Sequence, residues 1–182
     1  MPILTADDVI NQSSFKTNIF VETGSCHGDA IASVANIFDT IYSIELSYDL
    51  YMHCVNRFKD QSHIKLINGA SEDKLLELCP RLDKPVFFWL DAHWSGGFTA
   101  RGAVDVPLLD ELRIIVNNCK PKCIIAIDDV RLFGTNRNED WSKITMDAVM
   151  EILSPRIIGE IKAIDSHIAH GDVCFITLKE IN

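Results

Sequence analysis

Ile19-Phe20-Val21-Glu22-Thr23-Gly24-Ser25-Cys26-His27-Gly28 decides how the rest of the chain is read. Residues 19–22 are short, apolar and β-branched, which predicts a buried strand. Gly24 and Gly28 then open a turn, and Ala30, Ile31, Val34, Ala35 and Phe38 recur at helical spacing. The unit is therefore strand, glycine turn, helix, and the alternation continues downstream. Ile41 to Glu45 reads as a second strand, followed by a helix with Ser47 as its cap and Leu50, Cys54 and Phe58 on its apolar face. Ile64 to Ile67 is a third strand, and Ser71 is placed to cap a helix that stops at Pro80. Val86 to Leu90 is apolar throughout, as expected of a strand covered on both faces. A long loop, Asp91 to Asp105, carries Gly96, Gly97 and Gly102, after which Asp105 is expected to cap a helix through Val116. Lys122 to Ile127 is a fifth strand, Asp128 to Asp140 a second polar loop, and Trp141 to Leu153 a helix by spacing. Arg156 to Ile164 and Asp172 to Leu178 have no room for a helix between them, so they are expected to pair antiparallel.

Five β-α units and a terminal hairpin predict an α/β fold. It is a doubly wound, mostly parallel seven-stranded sheet with a C-terminal antiparallel hairpin, expected as a single domain over residues 1–182. Ligands of such sheets bind beyond the C-terminal strand ends, at the switch in strand order. Three acidic clusters fall at such ends: Glu22 with its glycine turn, Asp91-Ala92-His93, and Asp128-Asp129.

The turn has the spacing G-x-x-x-G rather than the G-x-G-x-x-G that faces a pyrophosphate. Glu22 would repel a pyrophosphate but can face an ammonium group. Glu45, 21 positions after Gly24, ends the second strand, where a carboxylate accepts hydrogen bonds from ribose hydroxyls. Together these favour S-adenosylmethionine over NAD. At the other two ends, neighbouring parallel strands lie ~4.8 Å apart, so Asp91, Asp128 and Asp129 can converge on one ion. An all-oxygen set suits Mg²⁺, Mn²⁺ or Ca²⁺ better than zinc. Such an ion holds a hydroxyl and lowers its pKa. His93 is placed to act as a general base or as a fourth ligand.

Composition narrows the field. The chain has 182 residues, 47% of them hydrophobic, and a net charge of −9. That charge argues against nucleic acid as the main partner, because phosphate binding needs a basic stripe. No apolar run approaches the ~18 residues of a membrane span. The start lacks a basic region followed by an apolar stretch, so a cytoplasmic location without membrane attachment is expected. The six cysteines have no zinc-like pairing and are expected to be reduced and structural.

Over nearly its whole length the chain resembles the class I S-adenosylmethionine-dependent methyltransferases. Within them it looks most like the metal-dependent macrocin-O-methyltransferase-type sugar O-methyltransferases. Phe20-Val21-Glu22-Thr23-Gly24 resembles their first cofactor motif, Tyr42-Ser43-Ile44-Glu45 the strand whose acidic end holds the ribose, and Asn68-Gly69-Ala70-Ser71 the segment bordering the adenine. The resemblance implies a cofactor site made by Glu22, Thr23, Gly24, Ser25, Gly28, Asp29, Glu45, Ala70, Ser71 and Asp91. It implies Mg²⁺ at Asp91, Asp128 and Asp129, with Asp91 and His93 catalytic. The family often carries Asp-Gly-Asp where this chain has Asp91-Ala92-His93, so the base would be a histidine. The chain is short for that group, so the acceptor, a small molecule or carbohydrate hydroxyl, is expected in an open groove. That groove would be shaped by Trp94 to Arg101 and Arg131 to Asp140. A homo-oligomer is compatible with this reading.

Other readings are a metal-dependent hydrolase using the same carboxylates, a catalytically inactive S-adenosylmethionine-binding protein, and an NAD-dependent enzyme. Trp94 and Phe98 are candidates to cover the site, and Arg101 and Arg131 to bind an anionic group. His167 and His170 are expected at the surface of a loop tip.

Overall fold

The computed structural model describes residues 4–97 and 99–181. Among these residues the strands are β1 (Ile19–Thr23), β2 (Thr40–Glu45), β3 (Ile64–Asn68), β4 (Val86–Leu90), β5 (Cys123–Ile127), β6 (Lys162–Ile164) and β7 (Val173–Leu178). They form one sheet in the order β3-β2-β1-β4-β5-β7-β6. The first five pair in parallel, and β7 runs antiparallel between β5 and β6. The predicted hairpin is therefore present, with its second strand inserted next to β5. The helices are α1 (Ala6–Gln12), α2 (Asp29–Val34), α3 (Tyr48–Arg57), α4 (Ser71–Leu78), α5 (Leu108–Asn118) and α6 (Met146–Leu153). No helix among the described residues is long and apolar enough to cross a membrane.

Alternation along the central strands builds two cores. Val86, Phe88 and Leu90 of β4 join Val21 and Ile125 beneath α4, α5 and α6, with Leu75, Leu112, Ile115 and Val149 facing them. Phe87 and Trp89 point the other way, with Phe20 and Ile124, against Ile31, Val34 and Cys54 of α2 and α3. β1, β4 and β5 are buried along their whole length, which is why they read as unbroken apolar runs. Each large side chain so buried contributes ~1.5–3 kcal/mol. The rigid centre of the sheet thus lies directly below the strand ends that carry the acidic clusters.

Chain order reverses between β1 and β4, which are hydrogen-bonded neighbours. Thr23 pairs with Leu90, and Leu90 with Ile127, so Gly24, Asp91 and Asp128 leave the sheet at one level. Ligands of such sheets bind at a switch point of this kind.

Several element boundaries differ from expectation. α1 has no apolar run to announce it; a capping box between Thr5 and Asp8 starts it, and only Val9 is buried. α2 ends at Val34, short of Phe38, which packs from beyond the helix. The Ser47 side chain makes no cap bond, and Ser71 lies inside α4, with Ala70 at the cap. Asp105 does not cap α5, because Pro107 holds that place. α6 starts at Met146 under a Thr145 cap, after loop where helix was predicted from Trp141. The strand expected from Arg156 narrows to Lys162–Ile164, preceded by one isolated bridge between Ile157 and Leu178.

Candidate functional site

Gly24 leaves β1 with φ 84°, and a Cβ there would stand 2.6 Å from the Asp91 carbonyl oxygen. Only glycine allows the turn to lie this close to the end of β4. The turn continues through Cys26, itself left-handed at φ 47°, to Gly28 at the start of α2. Glu45, at the end of β2, holds this turn: its carboxylate accepts from the Cys26 N–H at 2.9 Å and from the Ser47 N–H at 2.8 Å. Burial raises the Glu45 pKa, and these backbone bonds oppose the rise.

Above these strand ends lies an open cleft. Gly24, Glu45, Ala70, Ser71 and Asp91 line it, together with Cys26, Leu46 and Leu50. Five members of the expected cofactor set therefore share one cavity wall. The others do not reach it. Glu22 is 1% exposed and accepts from the Ser43 hydroxyl, which itself lies 2.5 Å from the Ser25 hydroxyl. Burial pushes the Glu22 pKa up to about 8 against the Ser43 bond. Glu22 thus stands beneath the floor rather than facing a ligand's ammonium group. Thr23 is buried, a Cβ on Gly28 would meet the Phe58 ring, and Asp29 pairs with Arg57 at 2.6 Å.

Beside the cavity, β4 and β5 bring the second and third clusters together around His93. Its Nδ1 lies 3.6 Å from Asp91 Oδ1, and its Nε2 lies 3.5 Å from Asp129 Oδ2 and 3.8 Å from Glu139 Oε2. Asp91, His93 and Asp129 each offer a donor atom within 4.8 Å of the other two. The all-carboxylate set Asp91, Asp128, Asp129 is not the set that converges. Asp128 groups with Asp129 and Asp172 instead, and its Oδ1 accepts from the Asp129 N–H at 2.8 Å. Asp129, left-handed at φ 60°, belongs to both groups. Arg131 bridges Asp129 and Asp172, and Ser166 donates to Asp172 at 2.6 Å. Burial first, then the neighbouring Asp128 and Asp129 charges, hold the Asp91 carboxyl well above the usual range. Burial and Asp129 push Asp128 up to about 7.

Three residues of this region were not singled out from the sequence. Glu139 receives the Trp141 indole N–H at 2.8 Å, and Trp141 sits 5.3 Å from the His93 ring. Asp172 is fully buried behind Arg131. Glu111, on α5, is 1% exposed, and its Oε1 has no hydrogen-bond partner among the described residues. Burial pushes its pKa up to about 7, against the nearby Ser71 and Thr23 hydroxyls. It lines a narrow gap that Asp91, His93, Asp128 and Trp141 also line. A signal for Glu111 was present: it falls three after Leu108 and four before Ile115, on the buried stripe of its helix.

Residues 91–95, 99, 100, 102, 104, 105 and 107 line the larger cleft. The Arg101 guanidinium stacks on Trp94 at 4.6 Å and pairs with both Asp105 oxygens, at 2.6 and 3.2 Å. Asp105 also accepts from the Trp94 and Asp140 backbone N–H groups, by its carbonyl and carboxylate respectively. Both arginines expected to meet an anionic group are therefore engaged within the protein, Arg101 by Asp105 and Arg131 by Asp129 and Asp172. His167 and His170 are exposed, the latter paired with Asp165 at 2.8 Å. Phe98 lies outside the described residues.

No family model matches the sequence, and no curated protein matches it. Solved structures do match the fold. A SAM-dependent methyltransferase from Aquifex aeolicus superposes with a TM-score of 0.62 at 10% identity, over 98% of this chain and 91% of that one. The N-methyltransferase NodS from Bradyrhizobium japonicum WM9 gives 0.61 at 13%, over 93% and 89%. A candidate caffeoyl-CoA O-methyltransferase from Staphylococcus aureus gives 0.58 at 14%, over 90% and 76%. At such identities the likeness speaks to architecture: the chain has the Rossmann-like methyltransferase fold.

Proposed function

We propose that the chain is an S-adenosylmethionine-dependent O-methyltransferase that acts on a hydroxyl of a small molecule or sugar with help from a divalent cation. The observation that carries this reading is the cavity at the switch point, where Gly24, Glu45, Ala70, Ser71 and Asp91 meet in a methyltransferase fold. Glu45 retains lone pairs for two ribose hydroxyls while its backbone bonds fix its orientation. Gly24 lets the cofactor's methionine end approach the backbone, and Ala70 and Ser71 border the base. The likeness to the macrocin-O-methyltransferase type rests on Asp91, Asp128 and Asp129 at the ends of β4 and β5.

The acceptor enters on the side of His93 and Asp129, beneath Trp94. Its oxygen displaces sulfur from the methyl carbon: an O–C bond forms, the S–C bond breaks, and S-adenosylhomocysteine leaves. The hydroxyl proton passes to a basic group of the cluster. The protein's share is orientation and charge compensation. The donor chemistry at Asp91, His93 and Asp129 suits a divalent ion, and the surplus of carboxylates over the single Arg131 guanidinium favours one. When bound, such an ion lowers the pKa of a coordinated hydroxyl. His93 has two roles there, base or ligand, and they exclude each other.

The test is methyl transfer from labelled S-adenosylmethionine to a panel of sugars and catechol-like diols, with and without chelator. Asp129→Ala is expected to lose metal-dependent turnover and to keep cofactor affinity. Turnover of that variant at the wild-type rate in chelator would sink the metal mechanism. Cofactor binding with no turnover on any acceptor would favour an inactive binding protein. Hydrolysis without cofactor binding would favour the hydrolase.

A further inference from the structure

We propose that the cleft selects an acceptor with no negative charge and with an apolar body beside its reacting hydroxyl, an inference that rests on the methyltransferase reading above. The carboxylates of Glu45, Glu72, Asp91 and Asp105 line the cleft, and among the described residues no lysine or arginine lines it. The arginines of the two flanking loops are already engaged. Asp105 and Trp94 hold Arg101, and Asp129 and Asp172 hold Arg131. His93 is the one basic side chain among the described residues on the wall, and its nitrogens already face the carboxylates of Asp91, Asp129 and Glu139. A divalent ion at Asp91, His93 and Asp129 would be balanced by the carboxylates that hold it. A carboxylate or phosphate on the acceptor would therefore meet this wall without a counter-charge. Burying an unpaired charge is costly, and like charges side by side add to the cost. The net charge of −9 deepens the same field.

The segment after β4 decides what the rest of the acceptor looks like. Ala92, Trp94, Ala100 and Val104 line the cleft from this side, and Leu46 lines it from beyond the end of β2. A Cβ on Gly102 would stand 3.6 Å from Leu46 Cδ2, so the two sides meet there. Val104 is 50% exposed and Leu46 37%, which leaves apolar surface on both sides open to a ligand. Two polar side chains of the same segment are spent within the protein. The Thr99 hydroxyl donates to the Gly96 carbonyl at 2.8 Å and accepts from the Ser95 N–H at 3.2 Å. The Asp105 carboxylate accepts from Arg101 and from the Asp140 N–H. A ring with many hydroxyls would give up water here for few replacement bonds, whereas an aryl or alkyl body gains by burial. The charge of the wall and its apolar lining describe one class of acceptor: a neutral or amine-bearing hydroxy compound with an apolar body, such as a phenol or catechol-type diol.

Titration calorimetry on wild-type protein, with S-adenosylhomocysteine in excess and Mg²⁺ present, tests this. The probes are methylcatechol, which is neutral, dihydroxyphenethylamine, which is cationic, dihydroxyphenylacetate, which is anionic, and a methyl glucoside. The neutral and cationic diols are expected to bind, and the anionic diol at least ~10-fold more weakly than the neutral one. That gap should narrow as salt is raised, because screening acts beyond about 10 Å at 0.1 M. The glucoside should give no heat. Val104→Arg supplies the missing cation, so it should tighten the anionic diol ~10-fold relative to the neutral one, with a thermal unfolding curve verifying that the variant is folded. The proposal is overturned if the anionic diol binds wild-type protein as tightly as the neutral one, if the glucoside binds as well as the diols, or if none of the probes binds. Methyl transfer from labelled S-adenosylmethionine to the same probes separates the two claims. Binding in the expected order without transfer refutes the methyltransferase reading alone, whereas transfer without charge preference refutes the selection alone.

Discussion

Replacing Gly24 by alanine tests the junction on which the cofactor cavity depends. The added Cβ would lie 2.6 Å from the Asp91 carbonyl oxygen, 3.0 Å from its carbonyl carbon and 3.2 Å from the Ala92 Cα. All three are backbone atoms, so no side-chain rotation relieves the contact. Either the turn or the end of β4 must move by about 0.5–1 Å, and both carry the site. The φ of 84° adds a left-handed penalty of ~1–2 kcal/mol. Overpacking adds ~1–3 kcal/mol. The expected destabilisation is therefore ~2–5 kcal/mol, read as a urea midpoint lowered by about 1–2 M at an ordinary m-value. S-adenosylhomocysteine affinity should fall at least tenfold, which corresponds to ~1.4 kcal/mol. Gly97→Ala is the matched control, since Gly97 has φ 60° and nothing within 4 Å of its would-be Cβ. It should show only the conformational penalty and leave affinity alone. If Gly24→Ala is no more disruptive than Gly97→Ala in both assays, the close approach of β1 and β4 does not govern the site.

Three further perturbations follow from the same contacts. Glu22 has its folded pKa raised from 4.5 to about 8, so the unfolded chain gives up that proton first as pH rises. The stability it contributes is complete below pH 4.5 and drains away as pH climbs towards 8, by about 1.4 kcal/mol per unit at most. Glu22→Gln should therefore gain on the wild type by about 3 kcal/mol at pH 7, with no gain at pH 4; denaturant unfolding at both values checks it, and parallel pH curves would refute it. Arg156 is buried and donates to the carbonyls of Ile115, Val116, Pro121 and Lys179, so Arg156→Met should cost ~3 kcal/mol or more in unfolding experiments. It lies at the opposite end of the sheet, so calorimetry should find cofactor affinity unchanged. Asp105→Asn should loosen the Arg101–Trp94 covering and speed S-adenosylhomocysteine release a few-fold in stopped-flow measurements, while a heat-unfolding scan should barely register it.

The parts of the fold that were legible in the sequence are those in which one strand or helix face speaks for itself. β1, β4 and β5 are buried on both sides, so Phe87-Phe88-Trp89 and Ile124-Ile125 leave no doubt about period or class. Parallel pairing then brings Gly24, Glu45 and Asp91 to one edge, and the cavity wall follows. What escaped depends on contacts between distant segments. Glu139 meets His93 only because the second loop folds back under Trp141, and no spacing encodes that. Asp128 and Asp129 look equivalent as letters; both group with Asp172, and Asp129 also reaches Asp91 and His93. Glu22 reads as a ligand-facing acid until Ser43, on the next strand, is seen to cover it. Neither Ser71 nor Asp105 caps its helix, because a good capping residue nearby is common and the side chain can bond elsewhere, as Asp105 does with Arg101.

The central claim is that the cavity above Gly24, Glu45 and Asp91 takes S-adenosylmethionine. Titration calorimetry of the wild-type protein with S-adenosylmethionine, S-adenosylhomocysteine and NAD, repeated on Glu45→Gln, tests it most directly. The account predicts one equivalent of each S-adenosyl compound bound, no heat with NAD, and affinity at least about tenfold weaker in the variant. Binding of NAD in place of the S-adenosyl compounds, or binding indifferent to Glu45, would contradict it.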